Sequence, residues 1–124
     1  MCRNKKDSKN RGFYFLFLGT DFPVESTNPF FTIHAAVQRK NPMNEPLNGF
    51  LPQESLSLDE VIRGMTIWAA FSSFQENELG SLEKGKRANF VIFDKPLESN
   101  PSFEQNYAWK TFIRGKMVFA LDEL

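Results

Sequence analysis

The stretch Phe13-Tyr14-Phe15-Leu16-Phe17-Leu18, followed by Gly19-Thr20-Asp21-Phe22-Pro23, sets the terms for the rest of the chain. An unbroken apolar run without alternation is the pattern of a strand covered on both faces, as in a parallel sheet flanked by helices. Gly19 to Pro23 then end the run, which leaves Asp21 at the carboxyl end of the predicted strand. In β/α barrels and doubly wound sheets that end is where ligands and chemistry collect. Asp is also a good turn-capping residue. On local pattern alone the turn is the stronger of the two readings, and both stay open.

Downstream, Asn28-Pro29 opens a helix, because Asn caps well and Pro is favoured at the first helical position. Phe30, Ile33, His34 and Val37 share one face, and Arg39-Lys40 close the last turn. His34 therefore reads as a packed, hydrogen-bonded residue rather than a ligand. Residues 41–56, with Pro42, Pro46, Gly49 and Pro52, form a long loop. Ser57-Leu58-Asp59-Glu60 is a capping box that starts a helix running to about Phe74. That helix is apolar on two sides, through Leu58, Val61, Ile62, Met65 and Ala69 and through Ile67, Phe71 and Phe74, so it calls for burial on both. From Leu79 the character changes. Ala88–Phe93 is a short strand, and Trp109–Ile113 with Met117–Ala120 form a hairpin around Arg114-Gly115-Lys116. Three short strands call for partner strands.

Composition narrows the function classes. Fifteen basic and fifteen acidic residues leave no net charge. That excludes bulk electrostatic binding to nucleic acid or to an anionic membrane surface. Cys2 and His34 are the only cysteine and the only histidine, so neither a disulfide framework nor an all-protein zinc site can be built. Fourteen phenylalanines in 124 residues imply a large apolar area to cover. Residues 1–12 are basic and aperiodic and read as an unstructured leader. Leader and apolar run together look like a secretory signal, but six apolar residues fall short of the usual minimum of about seven. Leu121-Asp122-Glu123-Leu124 differs by one residue from an ER-retention tail. Both features are read as coincidental, which makes the expected location cytoplasmic.

Taken in order, Gly19-Thr20-Asp21-Phe22-Pro23-Val24-Glu25, Asn28-Pro29, Ala35-Ala36-Val37-Gln38-Arg39 and Thr66-Ile67-Trp68-Ala69-Ala70 resemble the C-terminal end of a metal-dependent amidohydrolase of the amidohydrolase 3 type. Leu79-Gly80-Ser81-Leu82-Glu83-Lys84-Gly85-Lys86-Arg87-Ala88-Asn89-Phe90-Val91-Ile92-Phe93-Asp94 and the closing Gly115-Lys116-Met117-Val118-Phe119 agree. The likeness runs from about Leu18 to Phe119. One departure is Asn89, where the family usually has Asp, and the resemblance implies a lost surface or turn contact there.

The resemblance implies an α/β fold: the last part of a (β/α)8 barrel over residues 13–78 and part of a composite β-sandwich over 79–124. Phe13–Leu18 would be the eighth barrel strand. The implied reaction is hydrolysis of a non-peptide C–N bond, in an amide or cyclic amide, by a metal-activated water. Asp21 matches the residue that binds the divalent metal, commonly zinc, and serves as general base. Phe22 and Glu25 would line the pocket for a small-molecule substrate. The other metal ligands have no counterpart in this chain, so the implied state is a fragment, from a truncated or frameshifted gene or a misplaced start, that is inactive alone. Its partners would be the missing N-terminal part of the barrel or further copies of itself. The rival readings are an interaction module that pairs its strands with another chain, and a small ER-lumen protein.

Overall fold

A computed structural model describes residues 15–97 and 106–121. The leader, Phe13 and Tyr14 at the head of the apolar run, and the last three residues of the Leu-Asp-Glu-Leu tail lie outside these. The order is α1 (Pro29–Gln38), a 3-10 turn (Pro52–Glu54), α2 (Leu58–Met65), α3 (Ile67–Ser72), β1 (Phe90–Phe93), β2 (Ala108–Ile113) and β3 (Lys116–Ala120).

Local signals set most of these boundaries. Asn28 Oδ1 accepts the Phe30 N–H at 3.0 Å, with Pro29 behind it, and α1 ends where Arg39 turns left-handed at φ 58°. Arg39 then donates its N–H to Ala35 O and its Nε–H to Phe50 O, which ties the 41–56 loop back to the helix end. The capping box of α2 is complete. Ser57 Oγ accepts the Glu60 N–H, and the Glu60 carboxylate accepts the Ser57 N–H at 2.9 Å.

The expected single helix from Ser57 to Phe74 is two helices. Thr66 (φ −126°, ψ −97°) breaks it. Its hydroxyl donates to Ile62 O at 2.6 Å, the back-bonding by which Thr competes with the helical ladder. The second apolar face is not buried either, since Phe71 is exposed and Phe74 is 91% exposed.

The two-sided strand expected at the apolar run is also corrected. Residues 15–20 carry no strand pairing, and Leu16 and Leu18 face the core while Phe15 and Phe17 are exposed. A strand needs a hydrogen-bonded neighbour, and among the described residues none pairs with this segment. The segment is held instead by α2, where Leu18 donates its N–H to Gly64 O at 3.1 Å. Gly64 is buried, and a Cβ there would lie 2.8 Å from Leu16 O and 3.0 Å from Leu18 Cγ.

The core cluster is Phe30, Ile33 and Ala36 of α1 with Leu56 and Val61. Leu16, Leu18, Leu58, Ile62, Met65 and Phe93 close around it, with the Phe93 ring edge-on to Phe30 at 5.2 Å. Phe30 is the one phenylalanine that is buried among the described residues. Many more large apolar side chains are exposed than buried.

The sheet has the order β1-β2-β3, antiparallel throughout. The hairpin falls where the sequence predicts it. Arg114 (φ 52°) and Gly115 (φ 75°) both take positive φ, as a tight hairpin turn demands. Asn89 Oδ1 accepts the Arg114 N–H at 2.8 Å, so an amide in this position retains a turn contact instead of losing one.

Replacing Gly64 with Val is expected to cost about 1–3 kcal/mol, because the new side chain meets backbone at Leu16. Replacing exposed Arg63 with Ala is expected to stay within about 0.5 kcal/mol. Urea midpoints measure both, and equal midpoints would remove the Gly64 contact from the fold's essential set. Ser57→Ala should lower stability by about 1 kcal/mol through loss of the cap, read from the same unfolding curves.

Candidate functional site

Asp21 sits on a four-residue turn between the core-packed segment and α1. Val24 donates its N–H to Asp21 O at 2.9 Å, and the Phe22–Pro23 peptide is cis. Asp21 itself is left-handed at φ 52°, a region that Asp enters more readily than most residues. The turn is anchored on both sides. Leu18 is bonded to Gly64 upstream, while downstream the Asn28 N–H donates to Ser26 Oγ just before Asn28 caps α1. Asp21, Phe22 and Glu25 are all exposed, so both carboxylates and the aromatic ring stand together on one accessible loop. The turn that local pattern favoured is therefore present, and it displays the Asp21 carboxylate rather than burying it.

His34 is elsewhere. It lies in the body of α1, 1% exposed and beside Ile33 in the core, as its helical spacing predicts. Among the described residues no three His, Cys, Asp or Glu side chains come close enough to hold a metal ion. The described residues therefore do not by themselves fit a catalytic metal centre. A groove lined by Leu58, Asp59, Ile62 and Leu97 includes none of the turn residues, and its single carboxylate is held by Arg63 at 2.8 Å.

One polar cluster had no warning in the sequence pattern. The Asp94 side chain, 6% exposed, and the buried Asn106 lie at the irregular end of the β1–β2 pair. Asp94 Oδ1 accepts the Tyr107 N–H at 2.8 Å, and Asn106 donates to Lys95 O at 3.2 Å. Asp94 directly follows the Ala88–Phe93 run, and neither residue falls on an amphipathic period. Their bonds hold the register of the sheet and supply no reactive group to the Asp21 turn.

Comparison with known proteins bears on the turn and on the rest of the fold. The sequence profile of the Amidohydrolase family matches residues 15–119. Protein LONG AFTER FAR-RED 3 of Arabidopsis thaliana is 40% identical over 84% of this chain and 18% of its own length. The N-substituted formamide deformylase of Arthrobacter pascens is 36% identical over 82% of this chain and 19% of its own. A shorter match, 49% identical over 37 residues, is to the imidazolonepropionase of Treponema denticola. In structure, an amidohydrolase from Thermotoga maritima MSB8 superposes with a TM-score of 0.62 over 86% of this chain and 23% of that one, at 18% identity, which speaks for the fold alone. The chain thus spans about one fifth of the length of the curated relatives that it matches along most of its extent. No helix among the described residues is long and apolar enough to cross a membrane. With a family profile that covers residues 15–119, most of its length, the chain belongs to the amidohydrolase family.

Proposed function

We propose that this chain is the C-terminal part of a metal-dependent amidohydrolase that cleaves a non-peptide C–N bond in a small amide or cyclic amide. In this reading, the apolar run Phe13–Leu18 is the last barrel strand of the whole enzyme, where neighbouring strands are supplied. Residues 79–124 contribute to a composite β-sandwich. The observation that carries it is the Asp21 turn, an exposed carboxylate displayed between a core-anchored segment and a capped helix, inside a region that matches the family from residue 15 onward. One relative's name, N-substituted formamide deformylase, describes the removal of a formyl group from nitrogen, which is such a bond.

Asp21 is the contribution of this chain to the reacting centre. Its carboxylate can take a proton from the attacking water as the C–O bond forms, and return it to the departing nitrogen as the C–N bond breaks. It can also offer one oxygen to a divalent ion such as zinc. The described residues lack the other ligands, so that ion would have to be held by the rest of the enzyme. Phe22 and Glu25 follow on the same exposed loop and would shape the pocket, Phe22 as an apolar wall and Glu25 as a polar contact. One carboxylate does not make a hydrolase, so the chain alone is inactive.

The test joins residues 15–124 to the N-terminal four-fifths of the Arthrobacter deformylase in place of its own C-terminal fifth, and assays formamide hydrolysis. The 124-residue chain alone is expected to show no turnover and no stoichiometric zinc by elemental analysis. The joined protein is expected to turn over, and Asp21→Asn in it should lower kcat by about 10²–10⁴-fold. Full kcat in the Asn variant would remove Asp21 from the mechanism.

A further inference from the structure

The sequence holds a single Asn-Gly dipeptide, Asn48-Gly49, in the long loop between α1 and α2. An asparagine amide can be attacked by the backbone nitrogen of the residue that follows it. Asn28 and Asn41 precede Pro, which has no N–H, and Asn44, Asn77, Asn89 and Asn106 precede residues whose side chains crowd the nitrogen. Gly49 presents its nitrogen with no Cβ in the way. Asn48 is exposed, and its side-chain amide takes part in no hydrogen bond among the described residues.

The turn at 46–49 decides whether that nitrogen is free. The Gly49 N–H donates to Pro46 O at 2.8 Å, so the attacking atom is engaged while the turn is closed. Gly49 (φ 76°) also lies hard against the end of α1, where a Cβ would stand 2.6 Å from Gln38 O and 3.3 Å from Arg39 Cβ. Phe50 then donates its N–H to Arg39 O at 2.7 Å, and its carbonyl accepts the Arg39 Nε–H at 3.0 Å. A backbone one atom longer between residues 48 and 49 cannot keep both the turn bond and this close approach.

We propose that Asn48 is a self-modification site, converted with Gly49 to aspartate and isoaspartate at a rate set by opening of the 46–49 turn, and that the isoaspartyl form loosens the loop from α1. Gly49 N bonds to Asn48 Cγ, the Cγ–Nδ2 bond breaks, and ammonia leaves with the proton from the Gly49 nitrogen. The cyclic imide then takes up one water. Opening at Cγ gives aspartate. Opening at the main-chain carbonyl leaves the chain running through Cβ and Cγ, which adds one atom to the backbone. No electrons are exchanged, and water is the co-reactant. Exposed loops open locally at lower cost than the whole fold, so the turn gates the reaction without global unfolding. The site is independent of the role given to Asp21.

Peptide mass mapping of the full 124-residue chain, aged in mildly alkaline buffer, tests it. Exchange of NH for O is expected at Asn48 before any other asparagine, in aspartyl and isoaspartyl forms that separate chromatographically. In urea above the unfolding midpoint no turn holds the Gly49 N–H, and the rate at Asn48 should rise at least about tenfold. The aged chain should unfold at lower urea than the fresh one. Asn48→Gln, whose longer side chain forms the ring poorly, should age with residue 48 unchanged and keep its midpoint. An Asn48 that outlasts the other asparagines overturns the proposal. So do equal rates with and without urea, which remove the gate, or an isoaspartyl chain with the fresh chain's midpoint, which removes the consequence for the loop.

Discussion

The contact between the segment at Leu16–Leu18 and Gly64 of α2 is the constraint on which the other features rest. A hydrogen bond from the Leu18 N–H to Gly64 O, with no Cβ between the two backbones, brings an apolar segment onto a helix at close range. That places Leu16 and Leu18 on the core formed by α1 and α2. It also sets the point from which the chain must turn toward the Asn28 cap, and Asp21 occupies that turn. An exposed carboxylate is thereby held at a defined place between two anchors. The residue type at 64 matters more than its helix propensity, since Gly costs an isolated helix about 1 kcal/mol relative to Ala.

The balance of apolar surface agrees with a chain that spans about one fifth of its relatives. Burying one large apolar side chain contributes about 1.5–3 kcal/mol. The described residues realise this fully at few positions, and leave Phe15, Phe17, Phe22, Phe50, Phe71, Phe74 and Phe119 exposed. Phe15 stacks on Phe71 at 4.8 Å and stands edge-on to Trp68, which covers part of each ring without forming a second core.

In the sheet, polar anchors do what burial does not. Asn89 ties the hairpin turn to the strand before it, and Asp94 and Asn106 hold the irregular end of the β1–β2 pair. β3 receives no comparable support beyond its pairing with β2.

What the sequence by itself determined is what short-range chemistry controls. The Asn28-Pro29 start, the Ser57–Glu60 capping box and the Arg114-Gly115 hairpin are each encoded within a few residues, because their hydrogen bonds close within a few residues. The ordered run of motifs from Leu18 to Phe119 likewise carried the family, and His34 sits where its helical spacing placed it. Tertiary structure alone decided the rest. An apolar run reads the same whether its neighbours are strands or a helix, so only the packing on Gly64 shows that residues 15–20 are not in a sheet here. Thr66 is compatible with a helix interior until its hydroxyl takes Ile62 O. Burial of Asp94 and Asn106 depends on two segments meeting across the sheet, and no local period records such a meeting. The same holds for Asp21, whose residue type permits a turn or a ligand. Its downstream anchor at Ser26 and Asn28 is local, but its upstream anchor, Leu18 on Gly64, joins segments that lie more than one helix apart in sequence.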